Sequence, residues 1–512
     1  MKVLLSEPQR IDIPFVMGHS FACKTNDSGR KNREFCKKKR MKKFITTPIY
    51  YVNDVPHIGH AYCTLAADTL ARYWRQKLGR ENVFFLTGTD ENSQKTVDAA
   101  AAAGEEVMPY LDAMAARWKE TWEEIGIDFD DFIRTTEARH HKTVHEVLTT
   151  IHGKGDIYKG KYEGLYCTGC EAFLKASEVD EHGHCPHHKK APNVVEEDNY
   201  FFRLSKYQDQ LLELFEKNPK LLEPEKRRNE VLSFIKSGLE DISISRENAE
   251  FGIPLPWDKS HKIYVWFDAL INYRSGCPSE EFWGNTLHLL GKDITRFHCV
   301  IWPAMLMSAG ISTPAEEYAH GFFTVDGEKM GKSLGNVISP LDLAMKYGND
   351  GVRLGLLSSF EFGNDGDFSQ EQFHDLYNKK LAGGIGNLFN RVTVLIHKFL
   401  EGKSPTESTA FDAKTLQHFG ERLEAKKIRE AIETMFHVMD DANELLNSTE
   451  PWKLAKTDLP AAEKVFAELI PKLATIAKMS ETLLPEAAPK MWKMIGEGKK
   501  VGEAAILFQR AE

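Results

Sequence analysis

The chain has no run of roughly 18 consecutive apolar residues, which excludes a membrane-spanning helix. No basic region, short apolar core and small-residue cleavage site stand at its start, so it does not read as a secretory precursor. Cysteine is scarce, with eight residues in 512, and three of them (Cys167, Cys170 and Cys185) fall in one short segment. That pattern suits a metal site in a reducing, cytoplasmic compartment and not a disulfide framework. Internal repeats and low-complexity tracts are also missing. What is present is an ordinary globular balance, 42% hydrophobic and 28% charged, which excludes a wholly disordered chain. The length exceeds what one core holds, so several domains are expected.

The net charge of −9 is uneven: residues 1–43 carry 12 Lys and Arg against four acids, which leaves the other 469 residues near −17. An acidic body argues against a general polyanion binder, so any nucleic-acid contact must use local patches. The basic leader, 1–42, reads as an RNA-binding arm, a targeting segment, or upstream sequence ahead of a start at Met41. The Met-Lys-Lys at 41–43, directly before the first strand, favours the last of these.

From Lys43 the chain becomes regular. Phe44–Tyr51 and Asn82–Thr87 read as strands and Gly59–Leu78 as a helix, followed by a helix-rich stretch over 94–125. Strand–helix–strand succession with short connections predicts a parallel α/β sheet. Gly, Cys, His and charge dominate 153–198, an inserted module. Strand-like runs return at Ile263–Phe267 and Thr286–Leu290, after a Pro-rich joint at Ile253–Trp257. Helical patterns fill 376–400, 411–447 and 461–484. The expected organisation is an α/β domain in two halves, 43–153 and 254–375, split by an insertion over 154–253 and followed by a helical bundle over 376–512.

Two clusters carry chemistry. Pro56-His57-Ile58-Gly59-His60 lies between the first strand and first helix, where free N–H groups and the helix dipole suit a polyphosphate. Gly59 lets a flat base approach the backbone, and His57 and His60 can donate to phosphate oxygens. Gly327-Glu328-Lys329-Met330-Gly331-Lys332-Ser333 is a Gly-flanked loop whose two lysines suit closure over a leaving pyrophosphate. Alone, a lysine-rich loop is usually solvated surface; its pairing with the histidines across one split sheet raises its standing.

His57–His60 and Lys329–Ser333 resemble the HIGH and KMSKS signatures of class I aminoacyl-tRNA synthetases. Thr46-Thr47-Pro48-Ile49-Tyr50-Tyr51, Thr87-Gly88-Thr89-Asp90, Tyr264–Ala269, Gly291-Lys292-Asp293-Ile294, Phe297-His298 and Trp302-Pro303 narrow the resemblance to the methionyl-tRNA synthetases. The similarity runs collinearly over about nine-tenths of the chain. It implies a split Rossmann-like domain with a zinc-bearing insertion and a C-terminal helical anticodon-binding domain. It also implies ligation of L-methionine to methionine tRNA (initiator and elongator) through methionyl-adenylate, with Mg²⁺ accompanying ATP. Three departures stand out. Gly331 replaces the usual Ser, Asn92-Ser93 replaces a common His-Gly, and Leu270 stands where proline is frequent. A synthetase for another aliphatic amino acid would share both signatures; a noncatalytic RNA-binding relative would not need all four His and Lys.

Cys167-x2-Cys170 and Cys185-x2-His188, 14 residues apart, offer soft thiolates and an imidazole in two tight turns, suited to a structural Zn²⁺. His182, His184 and His187 crowd the fourth position, where His188 has the better spacing. The resemblance places such a knuckle inside the insertion. It further implies that Asp293 holds the adenosine ribose and that the methionine site comprises Ile49, Tyr51, Asp90, Trp266, Ala269, Leu270, Tyr273, Ile294, Phe297, His298 and Trp302. Asp90 would hold the α-ammonium, with Tyr51 and His298 flanking the sulfur; without the motifs these aromatics would read as plain core. Asn387 and Arg391, four apart on one helix face, and Trp452, after Pro451, can stack on and bond splayed bases, and the resemblance gives them the anticodon. No further association module is evident, so a monomer is expected.

Overall fold

The computed structural model of the chain describes residues 41–167, 172–174, 179–186, 189–247, 249–325, 327–330, 336–406, 410–496 and 500–512. The leader before Met41, Cys170, His188, Gly331 and Lys332 lie outside the described residues, as does the side chain of Lys329.

Among the described residues seven strands form one wholly parallel sheet. Strand β1 (Lys43–Thr46) and strand β2 (Tyr50–Tyr51) follow one another along β3 (Val83–Asp90), with Phe44 opposite Phe84 and Tyr51 opposite Asp90. The expected single strand Phe44–Tyr51 is interrupted because Pro48 has no N–H for the ladder. Strand β4 (Asp131–Arg134) pairs with β3 over Leu86–Thr89. On the other side of β1 the order is Thr286–Gly291, Glu316–His320 and Leu222–Glu223. That last strand belongs to the stretch read as the insertion.

Parallel connections put helices on both faces, so both faces are dry. Neighbouring residues accordingly enter opposite cores. Ile45, Phe85 and Leu289 face the core shared with helix α1 (Ile58–Leu78) and the C-terminal helices. Phe44, Leu86 and Leu290 face the core of Leu148, Phe202, Tyr273 and Trp302.

The insertion contains a long antiparallel pair, Ile157–Cys167 with Asn193–Phe202, flanked by Ala172–Leu174 and Ile242–Ser243. Ile263–Phe267 is not the strand its apolar run suggests. Only Lys262–Ile263 pairs, with Ser245–Arg246, and Val265–Ala269 forms a short buried helix. A short apolar run serves either state equally well.

The C-terminal region is helical as expected. The 376–400 pattern holds a wide-turned stretch, Tyr377–Gly386, running into Asn387–Leu400. The 411–447 pattern is two helices, Ala413–Glu424 and Ile428–Thr449, and 461–484 is Leu459–Leu483. No described helix is long and apolar enough to cross a membrane.

Candidate active site

The C-terminal ends of β1, β3 and the Thr286–Gly291 strand converge where the sheet order reverses, the usual position for a nucleotide site in an open α/β sheet. Helix α1 begins there with a cap built from its own histidines. His57 is the N-cap, and its Nδ1 accepts the Gly59 N–H at 3.1 Å. His60 Nδ1 accepts the His57 N–H at 3.3 Å. A backbone N–H can only donate, so both Nδ1 atoms are unprotonated and both neutral rings carry their proton on Nε2. Burial pulls His57 down to about 4, against a smaller opposing pull from Asp54. Burial and the neighbouring His57 hold His60 well below the ordinary value. The rings stack at 3.7 Å, and Trp118 and Tyr50 back them at 4.9 and 5.1 Å from His60. The site thus presents two uncharged N–H donors held in place.

The second signature meets the first. A Cβ on Gly59 would lie 2.8 Å from Cε of Met330, so the loop methionine rests on that glycine. The Ile58 N–H donates to the Ile338 carbonyl at 3.0 Å, fixing the far side of the loop to the same helix start. Glu328–Lys329 pairs with Phe323–Val325 in a tight hairpin, whose Gly327 N–H donates to Asp367 at 2.8 Å. Asp293 lies at the end of the neighbouring strand, folded back so closely that a Cβ on Gly291 would sit 2.6 Å from its Oδ1.

An aromatic pocket lies alongside. The Tyr273 hydroxyl donates to His298 Nε2 at 2.7 Å, and His298 Nδ1–H donates to the Ile294 carbonyl at 3.0 Å. Both ring nitrogens are thereby used, and burial keeps the imidazole neutral, at about 4. Trp266 stacks on Phe297 at 3.8 Å and meets Tyr51 edge-on at 6.5 Å. Trp302 lies 6.2 Å from Tyr273. Ile49, Ile294, Leu270 and Tyr273 share the core on that side, Ala269 is buried at the end of the Val265–Ala269 helix, and Asp90 stands beside Tyr51 in register.

Two further groups border this wall: His288, which sequence reasoning missed, and Asn92, which it noted only as a departure from the family pattern. His288, fully buried, bonds Thr46 at 2.7 Å and lies 4.1 Å from the Tyr273 ring. Asn92 donates to Asp268 at 2.7 Å, and Ser93 caps the Gln94–Ala103 helix through the Thr96 N–H at 3.2 Å. The Asn-Ser departure therefore has a structural use: a neutral donor steadies a buried carboxylate. The alternation of the Thr286–Gly291 strand could have flagged His288; nothing local predicts the Asn92–Asp268 contact.

Comparison with known proteins decides the family. The model of class I tRNA synthetases (M) matches residues 43–191 and 187–393, and that of the anticodon-binding domain of methionyl tRNA ligase matches 402–504. The chain belongs to the methionyl-tRNA synthetase family. Methionine–tRNA ligase of Thermotoga maritima is 42% identical over 480 residues, 90% of this chain and 76% of that protein. The chloroplastic/mitochondrial enzyme of Arabidopsis thaliana is 42% identical over 463 residues, 86% of this chain and 75% of that protein. The structure of Mycobacterium tuberculosis methionyl-tRNA synthetase in complex with methionyl-adenylate superposes with a TM-score of 0.86 at 36% identity, covering 92% of this chain and all of that one.

In this member of the synthetase family two of the four expected zinc ligands lie among the described residues. Cys167 and Cys185 are both buried. The Cys185 carbonyl accepts the Lys189 N–H at 2.8 Å in a turn that places Lys189 at φ 52°. Among the described residues no three His, Cys, Asp or Glu side chains cluster to hold a metal; Cys170 and His188 lie outside them. In the anticodon-binding helices the Arg391 guanidinium lies 5.4 Å from the Trp452 ring and bonds Asn447 at 3.2 Å. Asn387 is exposed one turn earlier on the same helix.

Proposed function

We propose that the sheet's C-terminal edge activates methionine with ATP and that the C-terminal helices present the tRNA to it. The activity is ATP-dependent ligation of L-methionine to methionine tRNA through methionyl-adenylate, with release of pyrophosphate and then AMP. The methionine carboxylate attacks the α-phosphate in line and pyrophosphate leaves. The terminal ribose hydroxyl of the tRNA then attacks the acyl carbon and AMP leaves.

The observation that carries the assignment of roles is the reciprocal cap at the start of α1. It leaves Nε2–H of His57 and of His60 for phosphate oxygens, as donors and not as acids, because burial holds both rings neutral. A preorganised donor of this kind contributes about 3 kcal/mol to the transition state. Gly59 admits the adenine, Asp293 takes the ribose, and Lys329 and Lys332 close over the leaving pyrophosphate. Magnesium arrives on the ATP phosphates.

Asp90 takes the methionine ammonium, and Ile49, Tyr51, Trp266, Ala269, Leu270, Tyr273, Ile294, Phe297, His298 and Trp302 enclose the side chain. With both His298 nitrogens engaged, selection rests on shape and polarizable ring contact. Asn387, Arg391 and Trp452 read the anticodon. One structural Zn²⁺ is held by Cys167, Cys170, Cys185 and His188; the buried thiols of the first and third fit a soft cation. When bound it would rigidify a module with little core of its own. We place the protein in the cytoplasm as a monomer.

An amino-acid panel in ATP–pyrophosphate exchange tests the reading. Methionine alone should drive exchange; equal exchange with leucine, isoleucine or valine would transfer the site to another aliphatic substrate.

A further inference from the structure

The turn between Ala413–Glu424 and Ile428–Thr449 holds a lysine where helix ends usually hold glycine. Lys426 follows the C-cap Ala425 at φ 58°, a left-handed conformation in which a Cβ crowds the next carbonyl. Its N–H donates to the Leu423 carbonyl at 2.9 Å and the Lys427 N–H to that of Arg422 at 2.8 Å, so the turn itself asks only for backbone. The side chain is what sets this position apart. It is 8% exposed, and its ammonium bridges Glu223 at 2.7 Å and Glu316 at 2.6 Å. Glu316 also takes Lys43, at 2.7 Å. These partners lie on three strands of the parallel sheet: Leu222–Glu223, Glu316–His320 and β1.

The same turn grips α1. Glu424 accepts the Tyr73 hydroxyl at 2.5 Å and pairs with Lys77, both near the end of the helix that His57 and His60 begin. A Cβ on Gly420 would sit 2.7 Å from the Tyr73 hydroxyl, so the contact is close as well as polar. Glu223 and Glu316 are about one-third exposed, at 32% and 31%, so such a cluster adds little net stability and mainly fixes geometry.

We propose that Lys426 is a positioning residue for tRNA charging, locking the anticodon-binding helices to the catalytic sheet and α1 at one angle. A tRNA held at its anticodon then delivers its 3′ end to the adenylate only while this latch is closed. Adenylate formation, which needs no tRNA, does not depend on it.

The test compares Lys426→Met, Lys426→Gly and Lys426→Arg in the full chain. In Met and Gly variants methionine-dependent pyrophosphate exchange and tRNA Kd should stay within about twofold. Single-turnover transfer from preformed methionyl-adenylate should fall roughly tenfold or more, as misplacement of a reacting end does. Arginine should restore most of the transfer. Lys426→Gly suits the left-handed φ better than lysine, so its failure to rescue would assign the effect to the ammonium. Glu223→Gln, which loosens one arm only, should show a smaller loss with the same signature. Joint loss of exchange and transfer would make the lysine merely structural. Unchanged transfer would leave the cluster without a positioning role. A raised tRNA Kd with normal transfer would make it a direct tRNA contact, and any of these three results overturns the proposal.

Discussion

Tyr273→Phe removes one hydroxyl from the proposed methionine pocket. The hydroxyl is the sole group removed, and the phenyl ring keeps its place against His288 and Trp302, at 4.1 and 6.2 Å. What is lost is the 2.7 Å bond to His298 Nε2, together with a hydrogen bond from the Asn272 side chain. Tyr273 and His298 are 1% and 2% exposed, so no bulk water replaces the donor. Leaving a buried acceptor unmet costs about 1–3 kcal/mol. His298 stays tied to the Ile294 carbonyl by its other nitrogen, so the cost falls on ring orientation and on the side-chain pocket it bounds. The expected outcome is a KM for methionine raised roughly ten- to a hundredfold in pyrophosphate exchange, with KM for ATP nearly unchanged. An unchanged methionine KM with a lowered melting temperature would show that the bond serves the core alone. Equal rises for methionine and ATP would point to disorder of the whole site and refute the reasoning.

Trp452→Ala should leave pyrophosphate exchange intact while aminoacylation falls roughly ten- to a hundredfold through weaker tRNA binding, since one base stack is worth about 1–3 kcal/mol; loss of both activities with thermal stability would make the ring a packing residue only. Cys185→Ser should abolish the one zinc per chain expected by elemental analysis, and unchanged zinc would break the ligand set. Burial pushes Glu317 up to about 8 from 4.5, the Cys299 thiol offsetting this in part, so the folded state holds a proton that the unfolded chain has released. That contribution is complete below pH 4.5 and is lost as pH rises toward 8, on the order of a few kcal/mol. Glu317→Gln should therefore gain stability over the parent at pH 9 relative to pH 6 in urea titrations; parallel profiles would place the carboxyl outside that window.

The features legible in the sequence were those with a local cause. The His57–His60 cluster at a strand–helix turn, the apolar runs of β3 and Thr286–Gly291, and the C-terminal helical patterns each follow from residues close together in the chain. Pro48 split a strand because one residue without an N–H outweighed the pattern around it, whereas the break between Ala413–Glu424 and Ile428–Thr449 falls at a lysine, a good helix former that announces no turn. The Ile263–Phe267 run became mostly helix because burial on all sides erases the difference between the two periods. Contacts between distant segments left no trace to read: Asn92 on Asp268 and Lys426 on Glu223 join residues 176 and 203 positions apart.

The cap at the start of α1 shows why histidine, and not a commoner N-cap, stands at position 57. Serine, threonine or aspartate would satisfy the first helical N–H groups equally well. Aspartate, however, would place a negative charge where the proposed reaction brings phosphates, and a serine hydroxyl that accepts from the backbone has one short-reach proton to offer. An imidazole separates the two tasks across its ring. Nδ1 accepts from Gly59 and so fixes the tautomer, and Nε2–H points the remaining donor away from the helix. His60 repeats the arrangement by accepting from His57 N–H, and stacking at 3.7 Å makes protonation of both rings unfavourable. The pair therefore enters the reaction uncharged. In the proposed reaction, its preference for the transition state would come from preorganised donors meeting phosphate oxygens whose charge has yet to build.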